Sequence, residues 1–334
     1  MTLEPLEPAK GVEMFCADLA TERADATINA YNYRLGHFTR WCDIEDIANL
    51  NVLTGRLLHE YRLWRRDDGD LNRVSEKTQM DTLRVFIKWL ESIDAVEQDL
   101  ATKVRSPSLS DDDNVRDDVL EADRSKKILD YLTKYEYASL PHVTLLLLCH
   151  TMMRTGGVRA LDVDDHDASN SSIEVLHREE TPIKNKSRGE RFIALSDSVN
   201  GVLIDWIEDR RPNVTDEFGR EPLLASTAGR LHKSTIRKYS YQYTRPCIIS
   251  GECPHGRAPE SCEARNDSQA YKCPSSRSPH AIRRGKITYN LEQKKPEKFI
   301  SDRENVSLEI LSKHYDARDK LTKMEQRRDF VDDY

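Results

Sequence analysis

Residues 278–291 read SPHAIRRGKITYNL, and this stretch decides how the second half of the chain is interpreted. The pattern is typical of a helix start, and its first turns carry His280, Arg283, Arg284 and Lys286. Positive charges this close together repel one another unless solvent and salt disperse them or an anion lies against them. A helix N-terminus attracts anions through its free N–H groups and its dipole. The stretch therefore raises the hypothesis of a phosphate site.

The charge of the chain is distributed unevenly between its two halves. The net charge of −7, taken alone, argues against a protein that binds nucleic acid. Residues 1–180 hold 22 lysines and arginines against 35 acidic residues, whereas residues 181–334 hold 29 against 23. The balances are −13 and +6, so a surface that binds phosphate is expected in the second half.

Length and composition narrow the class of protein. A chain of 334 residues is long enough for two domains that each bury a core. The longest largely apolar stretch, residues 143–149, has seven residues and includes Thr144, whereas a membrane span needs about 20. The opening MTLEPLEPAK lacks the pattern of a signal peptide. We therefore expect a cytoplasmic, nucleoid-associated protein with no membrane partner.

The N-terminal third of the chain shows helical periodicity. Apolar residues fall on one face of a helix over 27–43, of another over 54–66, and of a third that begins near Ser75. Three or four such helices predict a compact bundle over residues 1–105, with its aromatic side chains in the core. The polar segment that follows contains a proline and a run of aspartates, which predicts a linker over 106–117.

A second domain is predicted over residues 118–334. Helical patterns cover about 118–135 and 141–153, and further helices are expected at 197–210 and 234–245. The β-type runs SSIEVLHREE (171–180) and GERFIALS (189–196) flank the basic loop TPIKNKSR and predict a hairpin. The fold class is therefore mainly α with a small β component, a helical bundle followed by an α+β domain.

Four features follow one another in the second half of the chain: Arg154, a hairpin lysine (Lys184 or Lys186), His280 with Arg283, and Tyr315. Two guanidiniums can bind the non-bridging oxygens of one phosphate and stabilise the charge of its transition state. A tyrosine hydroxyl can attack phosphorus, and a lysine can protonate the departing 5′-oxygen. Each residue alone is more often a packing or salt-bridge residue. Together and in this order they indicate phosphodiester cleavage without a catalytic metal or other cofactor.

With these residues, the second half resembles the catalytic domain of the tyrosine recombinases, the phage integrase family, and especially its archaeal and archaeal-virus members. Arg154 matches the first arginine of the family, His280 and Arg283 match its H-x-x-R box, and Tyr315 lies 32 positions after Arg283. The N-terminal bundle is similar to the DNA core-binding domain of the family. The resemblance implies catalytic roles for Arg154, Lys184, His280, Arg283 and Tyr315.

The chain departs from the family pattern around the first arginine. The acidic residue often found three positions later is Gly157 here, and Arg159 is a rival of Arg154 for that role. We favour Arg154, because it keeps Leu161 and Asp165 in register with the family.

A second departure lies close to the tyrosine. The His or Trp of the family, about nine residues before Tyr315, falls on Val306, which puts one phosphate contact in doubt. Contacts to flanking DNA are expected from Lys186, Arg284 and Lys286, although solvent is the alternative for the last two.

A cysteine-rich insert covers residues 245–274. Cys247, Cys253, Cys262 and Cys273 supply four soft ligands in a segment with little core of its own, which suits a structural zinc ion. The spacing lacks a C-x₂-C pair, His255 could replace one cysteine, and free thiols in a plain loop are the alternative. An ordered insert would position the helix that follows it.

The resemblance implies a site-specific recombinase that cuts and rejoins DNA through a 3′-phosphotyrosyl intermediate. Its partners would be double-stranded attachment sites, three further copies in a homotetramer on DNA, and an accessory directionality factor. Integration or excision of a virus or mobile element is the expected role. A chromosome-dimer resolvase and a catalytically silent DNA-binding protein are the alternatives.

Overall fold

The computed structural model describes residues 3–110, 113, 118–316, 318–328 and 331. The chain divides into two compact units, residues 1–115 and 116–334. The division falls inside the segment predicted as a linker, of which residues 111, 112 and 114–117 lie outside the described residues. Every helix in the described part of the chain is too short or too polar to cross a membrane.

The first unit is built from α-helices. They are α1 (Pro8–Leu19), α2 (Asp25–Ile44), α3 (Gly55–Asp68) and α4 (Arg73–Ser92). Helix α1 precedes the three helices predicted from the periodicity. Helix α4 begins before Ser75, because Asn72 caps it and accepts a hydrogen bond of 2.9 Å from the Ser75 N–H. The aromatic core is confirmed: Phe38 packs edge-on against Tyr61 at 5.2 Å, and both are buried.

The second unit is also mainly helical. Its helices are α5 (Ala122–Tyr135), α6 (Leu140–Thr151), α7 (Thr155–Ala160), α8 (Asp197–Asp205), α9 (Lys233–Tyr243), α10 (Pro246–Ser250), α11 (Pro279–Glu292), α12 (Glu297–Glu304), α13 (Leu308–His314) and α14 (Lys320–Arg328). Helix α6 is apolar on all sides and nearly every residue in it is buried. The fold class predicted from the sequence is confirmed.

The strands form two small antiparallel sheets. The first contains β1 (His166–Asp167), β2 (Ser172–Val175) and β3 (Arg191–Ala194) in that order, and the second contains β4 (Ala225–Ser226) and β5 (Gly229–Arg230). In the predicted hairpin, Ile173 pairs with Ile193, and both side chains are buried. The loop between β2 and β3 carries Lys184 and Lys186.

Helix α11 packs closely against the start of the second unit. The backbone N–H of Leu120 donates a hydrogen bond of 3.1 Å to the carbonyl of Ala281. One turn later, a Cβ on Gly285 would lie 1.9 Å from the carbonyl oxygen of Leu120. Only glycine permits this approach, which fixes the position of α11 and of the side chains on its first turns.

A small apolar cluster joins α11, α12, α13 and the turn after α6. Its members are Met152, Ile287, Leu291, Ile300, Val306, Leu311 and Tyr315. Each is buried, so the three helices are held together around the tyrosine. This cluster brings together chain segments that lie more than a hundred residues apart in the sequence.

Candidate active site

Arg283 projects from the second turn of α11 and is almost completely buried, with 1% exposure. The helix start is set by Ser278, whose side chain accepts a hydrogen bond from the N–H of Ala281. The guanidinium of Arg283 donates to the carbonyl of Met152 and, over 3.0 Å, to the carbonyl of Glu304. Arg283 thus links α11 to the turn after α6 and to the end of α12.

Tyr315 caps the C-terminal end of α13 and is buried, with 4% exposure. The guanidinium carbon of Arg283 lies 5.0 Å from the centre of the tyrosine ring, within the range of a cation–π contact. The ring of His280, an exposed residue in the first turn of α11, lies 5.3 Å from the same ring. The hydroxyl of Thr288 donates to the Tyr315 carbonyl over 2.9 Å. Histidine, arginine and tyrosine therefore meet at one place.

Arg154 joins this group from the turn before α7. Its Nη1 donates to the carbonyl of Asn305 over 3.2 Å. Burial and the charge of Arg283 lower the pKa of Arg154, while the charge of Tyr315 and a hydrogen bond to it act in the opposite direction. Two guanidiniums thus flank the tyrosine, an arrangement able to bind one phosphate.

Arg159, the rival of Arg154, belongs to a different environment. Burial and the charge of Arg230 lower the pKa of Arg159, and its acidic neighbours are Glu217 and Asp216. The carbonyl of Arg159 accepts a hydrogen bond of 2.9 Å from Arg230. The structure thus brings Arg154, and not Arg159, to Tyr315.

Asn305 connects Arg154 to the hairpin loop. Its backbone has φ 50° and ψ 60°, a left-handed conformation that asparagine tolerates at the end of a helix. Its Nδ2 donates to the carbonyl of Lys184 over 3.1 Å, and its Oδ1 accepts from Asn185 over 3.0 Å. The side chains of Lys184 and Lys186 are both exposed. The loop is thus held beside Arg154 with its lysines facing solvent.

Val306 stands where the family resemblance led us to expect a His or Trp. It is 7% exposed and belongs to the apolar cluster that surrounds Tyr315. It supports the tyrosine by packing and offers no hydrogen bond to a phosphate from its side chain.

Arg284 and Lys286, for which contacts to flanking DNA are predicted, are not fully exposed. Arg284 is buried, and its guanidinium donates to the carbonyls of His314 and Asp118 over 2.9 and 3.0 Å. Lys286 is half-buried, and burial together with nearby Lys295 lowers its pKa. Through these hydrogen bonds, Arg284 joins α11 to α13. The cluster of basic residues in the sequence of α11 therefore suggested more ligand-facing positive charge than the structure shows.

The periodicity and motifs of the sequence did not point to the buried carboxylate in this site. Glu304, the last residue of α12, is 0% exposed, and its Oε2 lies 2.9 Å from Nη1 of Arg283. Burial raises the pKa of Glu304 to about 8, against the opposing charges of Arg283, Arg191, Arg303 and Arg154. Burial also lowers the pKa of Arg191, to about 10. In the sequence, the one indication that Glu304 belongs to the site was its position two residues before Val306.

The cysteine-rich insert surrounds a cavity of about 320 Å³. Cys247, Cys253, Cys262, Cys273 and His255 all line it. Burial raises the pKa of the Cys247 thiol, and the charges of Cys273 and Cys253 act in the same direction. Among the described residues, however, no three His, Cys, Asp or Glu side chains are arranged to hold one metal ion. As arranged, the thiols do not form a zinc site, and the zinc ion stays a prediction that the metal content of purified protein would test.

Comparisons with known proteins give two kinds of similarity. Residues 12–92 match the family described as phage integrase, N-terminal SAM-like domain. A structure of the N-terminal domain of a phage integrase/site-specific recombinase from Haloarcula marismortui is 36% identical over 31% of this chain and 99% of its own, with a TM-score of 0.30. No curated protein sequence matches the chain.

Two solved structures share the fold over almost the whole chain. The integrase of transposon Tn1549, in complex with transposon right-end DNA, is 11% identical, with a TM-score of 0.65 over 98% of this chain and 100% of its own. A lambda integrase tetramer bound to a Holliday junction is 15% identical, with a TM-score of 0.60 over 96% of this chain and 77% of its own. At such identities the likeness shows a common fold.

Proposed function

Because the chain belongs to the phage integrase family of tyrosine recombinases, we propose that it is a site-specific DNA recombinase. The observation that carries the proposal is the meeting of Arg154, Arg283 and His280 around Tyr315. Arg154 lies at the start of α7, His280 and Arg283 lie on α11, and Tyr315 lies at the end of α13. The packing of an ordinary core does not require two arginines beside a tyrosine.

In the proposed reaction, Arg154 and Arg283 bind the non-bridging oxygens of the scissile phosphate. The Tyr315 hydroxyl attacks phosphorus, the bond to the 5′-oxygen breaks, and a 3′-phosphotyrosyl linkage forms. Lys184 donates a proton to the departing 5′-oxygen, and His280 assists proton transfer at the tyrosine. Attack by the 5′-hydroxyl of a second duplex then reverses these steps and frees the enzyme.

The buried position of Tyr315 adds a requirement to this reaction. Its ring covers the guanidinium of Arg283 and interacts with Arg154, so it occupies the arginine-lined space that the phosphate needs. We propose that docking of DNA displaces the ring from this space before in-line attack. The exposed lysines of the hairpin loop would follow the DNA backbone at the same time.

The partners we propose are double-stranded attachment sites and further copies of the chain. The lambda integrase structures contain a dimer on a core site and a tetramer on a Holliday junction, and four strand cuts require four copies of this chain. We propose integration or excision of a virus or mobile element as its role, assisted by a directionality factor. A chromosome-dimer resolvase would use the same site.

A catalytically silent DNA-binding protein is the second candidate. The observation that favours it is Val306, which replaces a phosphate-binding side chain with an apolar one.

Covalent capture of DNA tests the proposal. Randomly nicked fragments of the source genome are mixed with the full chain and denatured, and the DNA that stays attached to protein is sequenced. The recovered site is then rebuilt as a nicked duplex for Tyr315→Phe, with Tyr289→Phe as the matched control on α11.

We expect an adduct with the wild type and with Tyr289→Phe, and none with Tyr315→Phe. An adduct that survives in Tyr315→Phe would place the nucleophile elsewhere. Specific DNA binding without any adduct would favour the silent DNA-binding protein.

A further inference from the structure

Glu304 is a fully buried acidic residue inside a group of arginines. Its Oε2 lies 2.9 Å from Nη1 of Arg283, which donates its hydrogen bond to the carbonyl of Met152. Neither carboxylate oxygen accepts a hydrogen bond from a described residue. A buried carboxylate in this state is costly, because lost hydration is not replaced by hydrogen bonds.

The charges that act on this carboxylate come from four parts of the fold. They are Arg283 on α11, Arg191 on β3, Arg303 on α12 and Arg154 before α7. Despite them, burial raises the pKa of Glu304 to about 8. The side chain therefore exchanges between a neutral and an ionised form close to physiological pH, and the balance depends on any further charge brought into the cluster.

We propose that Glu304 is a positioning residue for Arg283: its ionised form holds the guanidinium, and the scissile phosphate replaces that form while Glu304 takes up a proton. The inference rests on the proposed function. The family often has an acidic residue three positions after its first arginine, where this chain has Gly157. In our proposal, Glu304 on α12 supplies a carboxylate to the site instead.

Simple electrostatics supports the exchange. A phosphate held by Arg154 and Arg283 brings negative charge next to Glu304, and like charges this close favour the protonated carboxyl. The transition state of phosphoryl transfer carries still more negative charge. An ionised Glu304 would repel it, whereas a neutral Glu304 leaves the full charge of Arg283 available. Cleavage should therefore be fast when Glu304 is protonated and slow when it is ionised.

The test is the pH profile of adduct formation on the nicked duplex, with Glu304→Gln beside the wild type. Glutamine has the shape of the protonated carboxyl and does not ionise in this range. The ratio of the wild-type rate constant to that of Glu304→Gln should be near 1 at pH 6.5 and about tenfold lower at pH 9. The ratio removes the pH dependence of every other step, which both proteins share.

Asp302→Asn is the matched control, because Asp302 lies on the same helix, is exposed, and pairs with Lys298 over 2.7 Å. Its ratio to wild type should not change with pH. A ratio for Glu304→Gln that is equally flat would overturn the inference while the recombinase proposal stands. Absence of any wild-type adduct would instead reject the proposed function.

A second measurement does not depend on the variant folding or on cleavage. Sulfate, which does not titrate in this range, is bound to the wild-type chain in two buffers of different ionisation enthalpy at pH 8.5. Calorimetry should show uptake of a fraction of a proton per bound sulfate. Sulfate binding without proton uptake would contradict the exchange at Glu304.

Discussion

Two groups of arginines in the second unit differ in the partners of their guanidinium N–H groups. In the carbonyl-bound cluster, defined as Arg154, Arg191, Arg283 and Arg303 around Glu304, the guanidiniums donate mainly to backbone carbonyls. In the aspartate-bound cluster, defined as Arg178, Arg220 and Arg230 with Asp162, Asp165 and Asp216, they pair with carboxylates. The first cluster has four arginines for one carboxylate, and the second has three for three.

This difference separates a binding site from a structural one. A carbonyl dipole satisfies an N–H group without cancelling the charge of the guanidinium, whereas a carboxylate does both. The carbonyl-bound cluster therefore keeps an excess of positive charge that an external anion can neutralise. The aspartate-bound cluster has no such excess, and its charges hold the hairpin region together.

Removal of one carboxylate from each cluster should give the largest contrast. Asp162 is buried and lies 3.3 Å from Arg178 and 3.2 Å from Arg220, with Arg230 closer still. Asp162→Asn leaves three guanidiniums short of a partner and should lower the free energy of unfolding by about 3–5 kcal/mol. Denaturant titration at pH 6 measures it.

Glu304→Gln should behave differently in the same titration. Burial raises the pKa of Glu304 to about 8, from a value near 4.5 in the unfolded chain. The stability contributed by its protonated form is therefore complete below pH 4.5, falls between the two values, and is lost as pH rises through 8. Glutamine avoids that loss. Because pH 6 lies between these two values, we expect a variant that is already more stable than wild type at pH 6 and still more so at pH 9. A loss as large as that of Asp162→Asn would mean that the two clusters are equivalent.

Part of this comparison could be predicted from the sequence. The three-residue spacing of His280 and Arg283 on a predicted helix, and a tyrosine at the family distance, indicate a phosphate site before any coordinates are known. Helical periodicity likewise located α2, α3 and α4, because it records which face is buried.

The rest depends on packing between distant segments. Glu304 reads as a surface residue in the polar stretch SDREN, and it is buried only because α12 packs against α11. From the sequence alone, Arg284 resembles a DNA-binding residue. In the structure, its guanidinium donates to the carbonyls of His314 and Asp118. Neither a residue type nor its spacing reports whether a guanidinium meets a carbonyl, a carboxylate or solvent.

A matched pair of arginines sharpens the comparison on function. Arg154 and Arg159 lie at either end of α7, and both are half-buried. Arg154 belongs to the carbonyl-bound cluster, whereas Arg159 lies next to the aspartate-bound cluster. Arg154→Lys removes bidentate binding of the phosphate, and should slow adduct formation on the nicked duplex about 10²- to 10³-fold. Single-turnover kinetics measures the rate constant.

Arg159→Lys is the control for that experiment. Its side chain faces Glu217 and Asp216 rather than Tyr315, so the rate constant should stay within about threefold of wild type while stability falls slightly. If the two variants exchanged these effects, Arg159 would be the first arginine of the site, and the carbonyl-bound cluster would lose its assigned role.

The smallest expected effect is the response of the two clusters to a simple anion. Sulfate should bind the carbonyl-bound cluster and stabilise the wild-type chain by about 1 kcal/mol at a concentration several times its dissociation constant. Sodium chloride at equal ionic strength corrects for screening. Arg159→Lys should keep the sulfate-specific shift in melting temperature, and Arg154→Lys should lose most of it, because the ion then has one guanidinium instead of two. Equal shifts in both variants would show that the excess of positive charge does not create an anion site at Tyr315.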